Sequence, residues 1–167
     1  ESVHNAPPEV HKAKYFFLVP YILQEYQQLP LKKRKKESPA SYLERVENEV
    51  MWDLGDKYNH KIGTGVIGVT KYQPDKIVRR PSSVYWNGLN KYGFIQHGGL
   101  GVDTFLKQCS AAKNSLLAEV DGDDSPRDAL DAEYENVFKI RVKYDKNWRE
   151  NISIELTTAE ANILRER

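Results

Sequence analysis

Arg79-Arg80-Pro81-Ser82-Ser83-Val84-Tyr85-Trp86-Asn87-Gly88-Leu89-Asn90-Lys91-Tyr92-Gly93-Phe94-Ile95 is the stretch on which the reading of this chain turns. It predicts a short capped helix opening directly into an extended segment, which is how a winged-helix recognition element is written. Ser82 or Ser83 is placed to cap the free amides of the first turn, a choice worth about 1 kcal/mol over alanine. Gly93 suits the left-handed residue that ends a helix, and Phe94 and Ile95 begin the extended piece. Arg79 and Arg80 stand before the helix and Lys91 near its end, so phosphates can be met at both ends. Asn87 and Asn90 then face a groove, where an amide side chain pairs bidentately with adenine. A plain core helix is the competing reading, because Val84, Tyr85, Trp86 and Leu89 need no DNA to explain them.

Upstream, Ser38-Pro39 opens the clearest helix of the sequence, with a capping residue, proline at the first helical position and Glu44 soon after. The helix is expected to run to about Leu54 and to stop at Gly55. Leu43, Val46, Val50, Met51 and Leu54 make its apolar stripe, with Glu44, Arg45, Glu47 and Glu49 mainly outside it. Joined to the quoted stretch, it predicts a helix-turn-helix or winged-helix-like unit around residues 40 to 95. Val10 to Gln28 has the apolar spacing of a helix that Pro20 should bend near Val19 or divide, by removing a donor and crowding the preceding turn. Between the two helices, residues 29–37 hold Lys32, Lys33, Arg34, Lys35 and Lys36. They read as a basic linker, either a phosphate-tracking patch or a solvated loop. Residues 1–9, with Pro7 and Pro8, read as a flexible arm.

Downstream, Asp103 is placed to cap a helix through about Glu119, with Phe105, Leu106, Cys109, Ala112 and Leu116 as its buried stripe. Residues 120–128 form an acidic, turn-rich loop. Val137 to Tyr144 alternates Lys139, Arg141 and Lys143 against Phe138, Ile140 and Val142, the pattern of a half-buried strand. Ile152, Ile154 and Leu156 alternate as well. Thr157-Thr158-Ala159-Glu160 then supplies a capping box for a last helix. The small β element is therefore expected near 94–101 or 137–156.

The 167 residues suit one domain, and the 40% hydrophobic share with a mean hydropathy of -0.68 belongs to a soluble globular class. The longest apolar run, Tyr15 to Leu23, is interrupted by Pro20 and is far shorter than the roughly 20 residues of a membrane span. Cys109 is the sole cysteine, which excludes an intrachain disulfide framework and a thiolate zinc cage and points to a reducing, cytoplasmic setting without a secretory signal. The net charge of +1 hides an asymmetry: residues 1–92 carry 15 Lys/Arg against 10 Asp/Glu, whereas residues 93–167 carry 10 against 14. The first half is thus the side for a polyanion.

Catalytic and cofactor motifs fail on context. Gly63-Thr64-Gly65-Val66-Ile67-Gly68 satisfies the dinucleotide fingerprint by letter, but a long polar helix precedes it and Pro74 interrupts the segment after it, so a loop with permissive backbone is the reading. His4, His11, His60 and His97 lie in separate segments, without the pairing on one helical face that a metal requires. His60 is expected to be solvent-exposed, and His97, beside Gly98-Gly99, is either exposed or a wing-tip phosphate contact. Asp121, Asp123, Asp124 and Asp128 lack the later bidentate glutamate of a calcium loop. Asp131, Glu133 and Glu135 ahead of Lys139 are the nearest approach to a nuclease cluster and do not form its motif. Cys109, on an apolar face with no neighbouring histidine, reads as inert packing.

Three segments resemble an uncharacterised bacterial family, a domain of unknown function associated with helicase and phospholipase D-like nuclease genes in anti-phage defence islands. They are Lys12-Ala13-Lys14-Tyr15-Phe16-Phe17-Leu18-Val19-Pro20-Tyr21-Ile22, then Pro81 to Leu89 with Tyr92-Gly93, and Leu156-Thr157-Thr158-Ala159-Glu160-Ala161 with Leu164-Arg165. Gly65-Val66-Ile67-Gly68 matches the family stretch before the second segment. The resemblance implies a genomic context and no catalytic residues or cofactor. It also implies that the chain is a fragment of a longer protein.

The expectation is an α+β, mostly α-helical domain that serves as a non-catalytic accessory component of a bacterial defence system, recognising DNA or positioning a helicase or nuclease on it. Arg79, Arg80, Asn87, Asn90 and Lys91 are the candidate contacts, with Lys32, Lys33, Arg34, Lys35 and Lys36 as a supplementary patch. The alternatives are a protein interaction scaffold that displays its aromatic residues, and a nuclease subunit whose active site lies in flanking sequence.

Overall fold

The computed structural model describes residues 13–120 and 136–167, without the side chains of 112–120. The expected arm over 1–9, the acidic loop beyond Val120 and the carboxylates Asp131, Glu133 and Glu135 lie outside the described residues, as do the side chains of Ala112 and Leu116. Six helices are described: α1 (Tyr15–Gln28), α2 (Leu31–Lys36), α3 (Pro39–Lys57), α4 (Pro81–Lys91), α5 (Val102–Val120) and α6 (Thr158–Arg165). The domain is mostly helical. The main helix contacts join α1 to α3 and α4, and α5 to α3 and α4.

α1 is the hub because its sequence is apolar nearly all round, and a helix of that kind must be enclosed. Tyr15, Phe17, Leu18, Val19, Tyr21, Ile22, Leu23 and Tyr26 are all buried. Pro20 does not divide it; the helix runs through to Gln28. A proline in a helix interior costs about 3 kcal/mol, whereas each large apolar side chain enclosed here returns about 1.5–3 kcal/mol. Enclosure wins. The phenol of Tyr15 also pins the glycine-rich loop, donating to the Gly65 carbonyl at 2.6 Å and accepting from the Ile67 amide at 2.7 Å. That loop is left-handed at Gly63, Gly65 and Gly68.

The basic stretch 29–37, which joins α1 to α3, is not all loop. Leu31–Lys36 is helical, starting from Pro30, whose carbonyl accepts from Lys33 and Arg34. Lysine, arginine and leucine are good helix formers, and cations in a last turn suit the helix dipole. The Tyr26 hydroxyl lies 3.0 Å from the Arg34 carbonyl and 2.7 Å from that of Glu37, closing the far end from a different helix.

α3 starts where the sequence places it, with the Ser38 hydroxyl accepting from the Ser41 amide at 3.2 Å and Pro39 at the first turn. It does not stop at Gly55 but continues to Lys57. The glycine is needed for a different reason: a Cβ there would sit 2.7 Å from the His60 ring. His60 is correspondingly not solvent-exposed. Its side chain is 9% exposed, with Nε2 2.7 Å from Asp56 Oδ1, Nδ1 2.7 Å from the Val69 carbonyl, and the ring stacked on Tyr72. Two acceptors facing two ring nitrogens favour the doubly protonated form, and Asp56 in particular draws the imidazole pKa up.

The expected strands reduce to a single antiparallel bridge between Ile95 and Ile140. The Gln96 amide donates to the Lys139 carbonyl at 3.1 Å and the Arg141 amide to that of Phe94 at 2.8 Å. The alternation itself is real, since Phe138, Ile140 and Val142 are buried while Lys139, Arg141 and Lys143 are exposed. Lys139, however, has φ +51, and a left-handed residue cannot continue a ladder. Ile152, Ile154 and Leu156 form no strand either; the Ile154 amide donates to the Tyr58 hydroxyl at 3.1 Å instead. α3 and α4 are joined by residues 58–80, where a helix-turn-helix uses a turn of about 3–4 residues.

α6 begins with the expected capping box, Thr157 Oγ1 accepting from the Glu160 amide at 3.1 Å and Glu160 Oε1 from the Thr157 amide at 2.9 Å. The same carboxylate is buried against α1. Lys14 Nζ lies 2.6 Å from its Oε1, and the Tyr21 hydroxyl donates to Oε2 at 3.0 Å.

Candidate nucleic-acid interface

α4 has proline at its first position and so starts ahead of both serines, and neither Ser82 nor Ser83 is its cap. Arg80 occupies the cap position, with no side-chain hydrogen bond of its own to the first turn. The acceptor comes from α3. Glu47 Oε2 takes the Ser82 amide at 2.7 Å, and Oε1 takes the Ser82 hydroxyl at 2.7 Å and Arg80 Nη1 at 3.0 Å. Glu47 therefore does not lie outside the α3 stripe; it is wholly buried. Burial pushes its carboxyl up to about 7, against the pull of the Ser82 hydrogen bonds and of Arg80. Ser83 only turns its hydroxyl back onto the Arg80 carbonyl at 2.8 Å.

The candidate contacts divide accordingly. Arg79, Asn87 and Lys91 are exposed, and Ser83, Asn87 and Lys91 recur every four residues, which places them on one outward face of α4. Arg80 is taken up by Glu47. Asn90 is half-buried, its Oδ1 accepting from the Gly98 amide at 3.0 Å, so it holds the following loop to the helix. Gly93 ends the helix region at φ +75, in keeping with its position in the sequence.

The inward face is a locked aromatic site. Trp86 is buried, stacks on His97 with ring centroids 4.4 Å apart and planes within 5°, and donates from Nε1 to the Leu100 carbonyl at 2.6 Å. His97 is only 3% exposed and is not a wing-tip contact. Its Nε2 faces the Trp86 carbonyl at 2.8 Å, while Nδ1 accepts from the Gly99 amide at 3.1 Å, which assigns the Nε2–H tautomer. A ring satisfied at both nitrogens and clamped against an indole has nothing to offer a phosphate.

In α2, Lys32, Lys33, Lys35 and Lys36 are exposed and Arg34 is half-buried. A third group of cations surrounds the Ile95–Ile140 bridge. Arg167 donates to the carbonyls of Tyr92, Gly93 and Arg141 at 2.6–3.0 Å and lies 4.5 Å over the Phe94 ring. Arg141 reaches Gln96, beside exposed Lys139. These residues were not among the sequence candidates. The outward alternation of Lys139 and Arg141 was the signal, visible as one face of a supposed strand.

Among the described residues no group of three or more His, Cys, Asp or Glu side chains is placed to hold a metal ion, and no helix is long and apolar enough to cross a membrane. Cys109 is buried, and burial raises its thiol pKa, the condition of an unreactive cysteine. No known protein family, curated protein or solved structure matches the chain.

Proposed function

We propose that this chain is a non-catalytic, DNA-recognising accessory component of a bacterial defence system, which positions a helicase or nuclease on its substrate in the cytoplasm. The observation that carries the reading is the outward face of α4. Asn87 and Lys91 are exposed along it and Arg79 is exposed just ahead of the helix, no acidic residue occurs between Arg79 and Lys91, and the opposite face is fixed by Trp86 and His97. A rigid helix with a polar, cation-ended face is what a groove-reading element requires. In this reading α4 is the recognition helix of a winged-helix-like unit, the loop after Gly93 stands where a wing would, and α2 adds backbone contacts.

The test is the affinity of the chain for labelled duplex and single-stranded DNA at low and at physiological salt. Binding should weaken steeply with salt, the slope of log affinity against log salt falling by about 0.9 for each phosphate-contacting cation removed from a duplex complex. Arg79→Ala and Lys91→Ala should each lower that slope, whereas Asn87→Ala should alter sequence preference more than salt dependence. An unchanged affinity in all three variants would overturn the role of α4.

One observation favours a second reading as a protein interaction scaffold. Ile62 and Val78, in the connection between α3 and α4, are 84% and 85% exposed, and Tyr72 is 57% exposed. Apolar side chains displayed on a structured loop suit a partner protein. Capture of a defined neighbouring subunit, abolished by Ile62→Asp and Val78→Asp while DNA affinity stays nil, would replace the first reading with this one.

A further inference from the structure

The connection between α3 and α4 is anchored at two places. Tyr15 holds Gly65 and Ile67 at one. At the other, Trp52 Nε1 donates to the Asp75 carbonyl at 2.9 Å and the Ile77 amide to Asn48 Oδ1 at 2.7 Å. Between these anchors residues 68–74 turn on themselves, the Lys71 amide donating to the Gly68 carbonyl and the Asp75 amide to that of Tyr72, both at 2.8 Å. Residues 70–76 are exposed throughout, so burial does little to hold them. Apart from the turn bonds, the one hydrogen bond of 68–74 among the described residues joins the Val69 carbonyl to His60 Nδ1 at 2.7 Å. The same ring stacks on Tyr72 with centroids 3.7 Å apart.

His60 itself is set in place from α3. Its amide donates to the Gly55 carbonyl at 2.8 Å, and Asn59 and His60 are both left-handed, at φ +56 and +52, a conformation that needs support from its surroundings. Asp56 Oδ1 faces Nε2 at 2.7 Å. A carboxylate and a carbonyl only accept, so both contacts together need a proton on each ring nitrogen. We infer that His60 is a pH-sensitive latch, which in its charged form ties residues 68–74 to the end of α3 and on losing its proton releases them. A neutral imidazole has a single N–H. That N–H stays with Asp56, because a charge-assisted bond outcompetes a neutral one, and a lone pair is then left facing the Val69 carbonyl.

The groups around the ring leave the direction clear. Asp56 from α3 is the carboxylate in contact with it and Tyr72 from the connection is the phenol stacked on it. Lys57 donates to the Ile152 carbonyl at 2.8 Å, and Lys61 and Lys71 are exposed. The hydrogen bond to Asp56 draws the imidazole above its ordinary 6.5, and the Val69 carbonyl adds to it. The contribution of the latch is therefore complete below about 6.5 and is lost as pH rises through the folded value. Release frees Tyr72, the exposed aromatic of this connection, so the latch decides whether that face is a fixed surface. The inference does not depend on what the surface binds.

Nitrogen-15 spectra of the whole chain, followed across about pH 5 to 9, read both the ring and the segment. Both His60 nitrogens should be largely protonated at pH 6.5 and lose one proton only above it. As they do, the order parameters of the Val69, Lys71 and Tyr72 amides should fall from the roughly 0.85 of a rigid backbone to below about 0.6. The Ile77 amide, held by Asn48, should keep its value, which separates release from unfolding and from the titration of Glu47. Asp56→Asn should move the release to lower pH, since Asp56 is the main cause of the raised pKa, and His60→Gln should abolish the pH dependence. The Asp56 side chain is 73% exposed, so its variant carries the test if His60→Gln fails to fold. A ring already neutral at pH 6.5, a ring that titrates with no change in 68–74, or a release that Asp56→Asn leaves where it was would each overturn the latch.

Discussion

Two helix N-termini in this molecule solve one problem by opposite routes. α6 is capped by its own first turn, Thr157 and Glu160 exchanging hydrogen bonds across three residues. α4 is capped by Glu47, thirty-five residues earlier and on another helix. Both glutamates are buried, and both also hold a cation, Lys14 for Glu160 and Arg80 for Glu47. The difference lies in what each capping contact joins. The α6 cap serves a helix that would be capped anyway, and its tertiary contact to Lys14 is a further interaction. The α4 cap is itself the tertiary contact, so the start of the candidate recognition helix cannot be satisfied unless α3 is in place.

The largest expected effect tests the α6 side. Lys14→Met removes the cation from a carboxylate that is 1% exposed and leaves the Tyr21 hydroxyl and the Thr157 amide as its partners. Breaking a buried ion pair from one side costs about 3–5 kcal/mol, read as a loss in the free energy of urea unfolding. A loss below about 1 kcal/mol, the scale of a surface pair, would mean that Glu160 is essentially a local cap and that the two termini differ even more.

The α4 counterpart comes next. Glu47→Ala strips the Ser82 amide and hydroxyl of their acceptor and frees Arg80, a lost cap combined with unsatisfied buried donors, for about 2–4 kcal/mol. pH separates the two regions further. The Glu47 carboxyl titrates at about 7 in the folded chain, above its ordinary 4.5. A raised carboxyl binds its proton more tightly in the folded state, so its contribution is fully present below about 4.5 and is lost as pH rises through about 7. Unfolding free energy should therefore carry a declining component between those values, and Glu47→Gln should flatten it. A decline that persists unchanged in Glu47→Gln would assign it to other groups.

Legibility in the sequence divides along the same line. The Ser38 and Thr157 caps, the apolar stripe of α3 and the helical character of α4 are local patterns, and the structure has them. Glu47 looked like a solvated charge beside an apolar stripe because nothing within a helical turn announces that Ser82 will arrive there. His97 and His60 were misplaced for a related reason. Each has its ring partner outside its own turn of chain, Trp86 for one and Tyr72 for the other. The supposed strand over 137–144 has alternating buried and exposed faces at 138–143, but the left-handed Lys139 on one side and the turn through left-handed Gly98 and Gly99 on the other, which no periodicity encodes, leave no ladder beyond the one bridge. The candidate interface was therefore legible as a helix with cations at its ends, while the division of those cations between fold and surface was not.

A smaller effect isolates the local cap. Thr157→Ala removes one acceptor from the α6 box and should cost about 1 kcal/mol, with the α4 end unaffected. Hydrogen exchange at the Glu160 amide, which the threonine hydroxyl accepts, should speed up without a matching change at Ser82. A matching change at Ser82 would couple the two termini and break the distinction.

The least expected loss of stability, and the one most informative about function, concerns two residues that no sequence pattern distinguishes. Arg79 and Arg80 are adjacent and identical in chemistry, yet Arg80 Nη1 lies 3.0 Å from the buried Glu47 carboxylate with its side chain 24% exposed, while Arg79 is exposed. Arg80→Gln should cost on the order of 1 kcal/mol, because Ser82 still satisfies Glu47 and a partly protonated carboxyl tolerates losing the cation. Arg79→Gln should leave stability within about 0.5 kcal/mol of the parent. For nucleic-acid binding the order inverts: Arg79→Gln should reduce both affinity and salt slope, and Arg80→Gln should change affinity only as far as it loosens the start of α4. Measuring both variants by thermal unfolding and by DNA titration separates the two uses of charge. If both lose affinity equally while keeping full stability, the Glu47 contact is dispensable and both arginines belong to the surface.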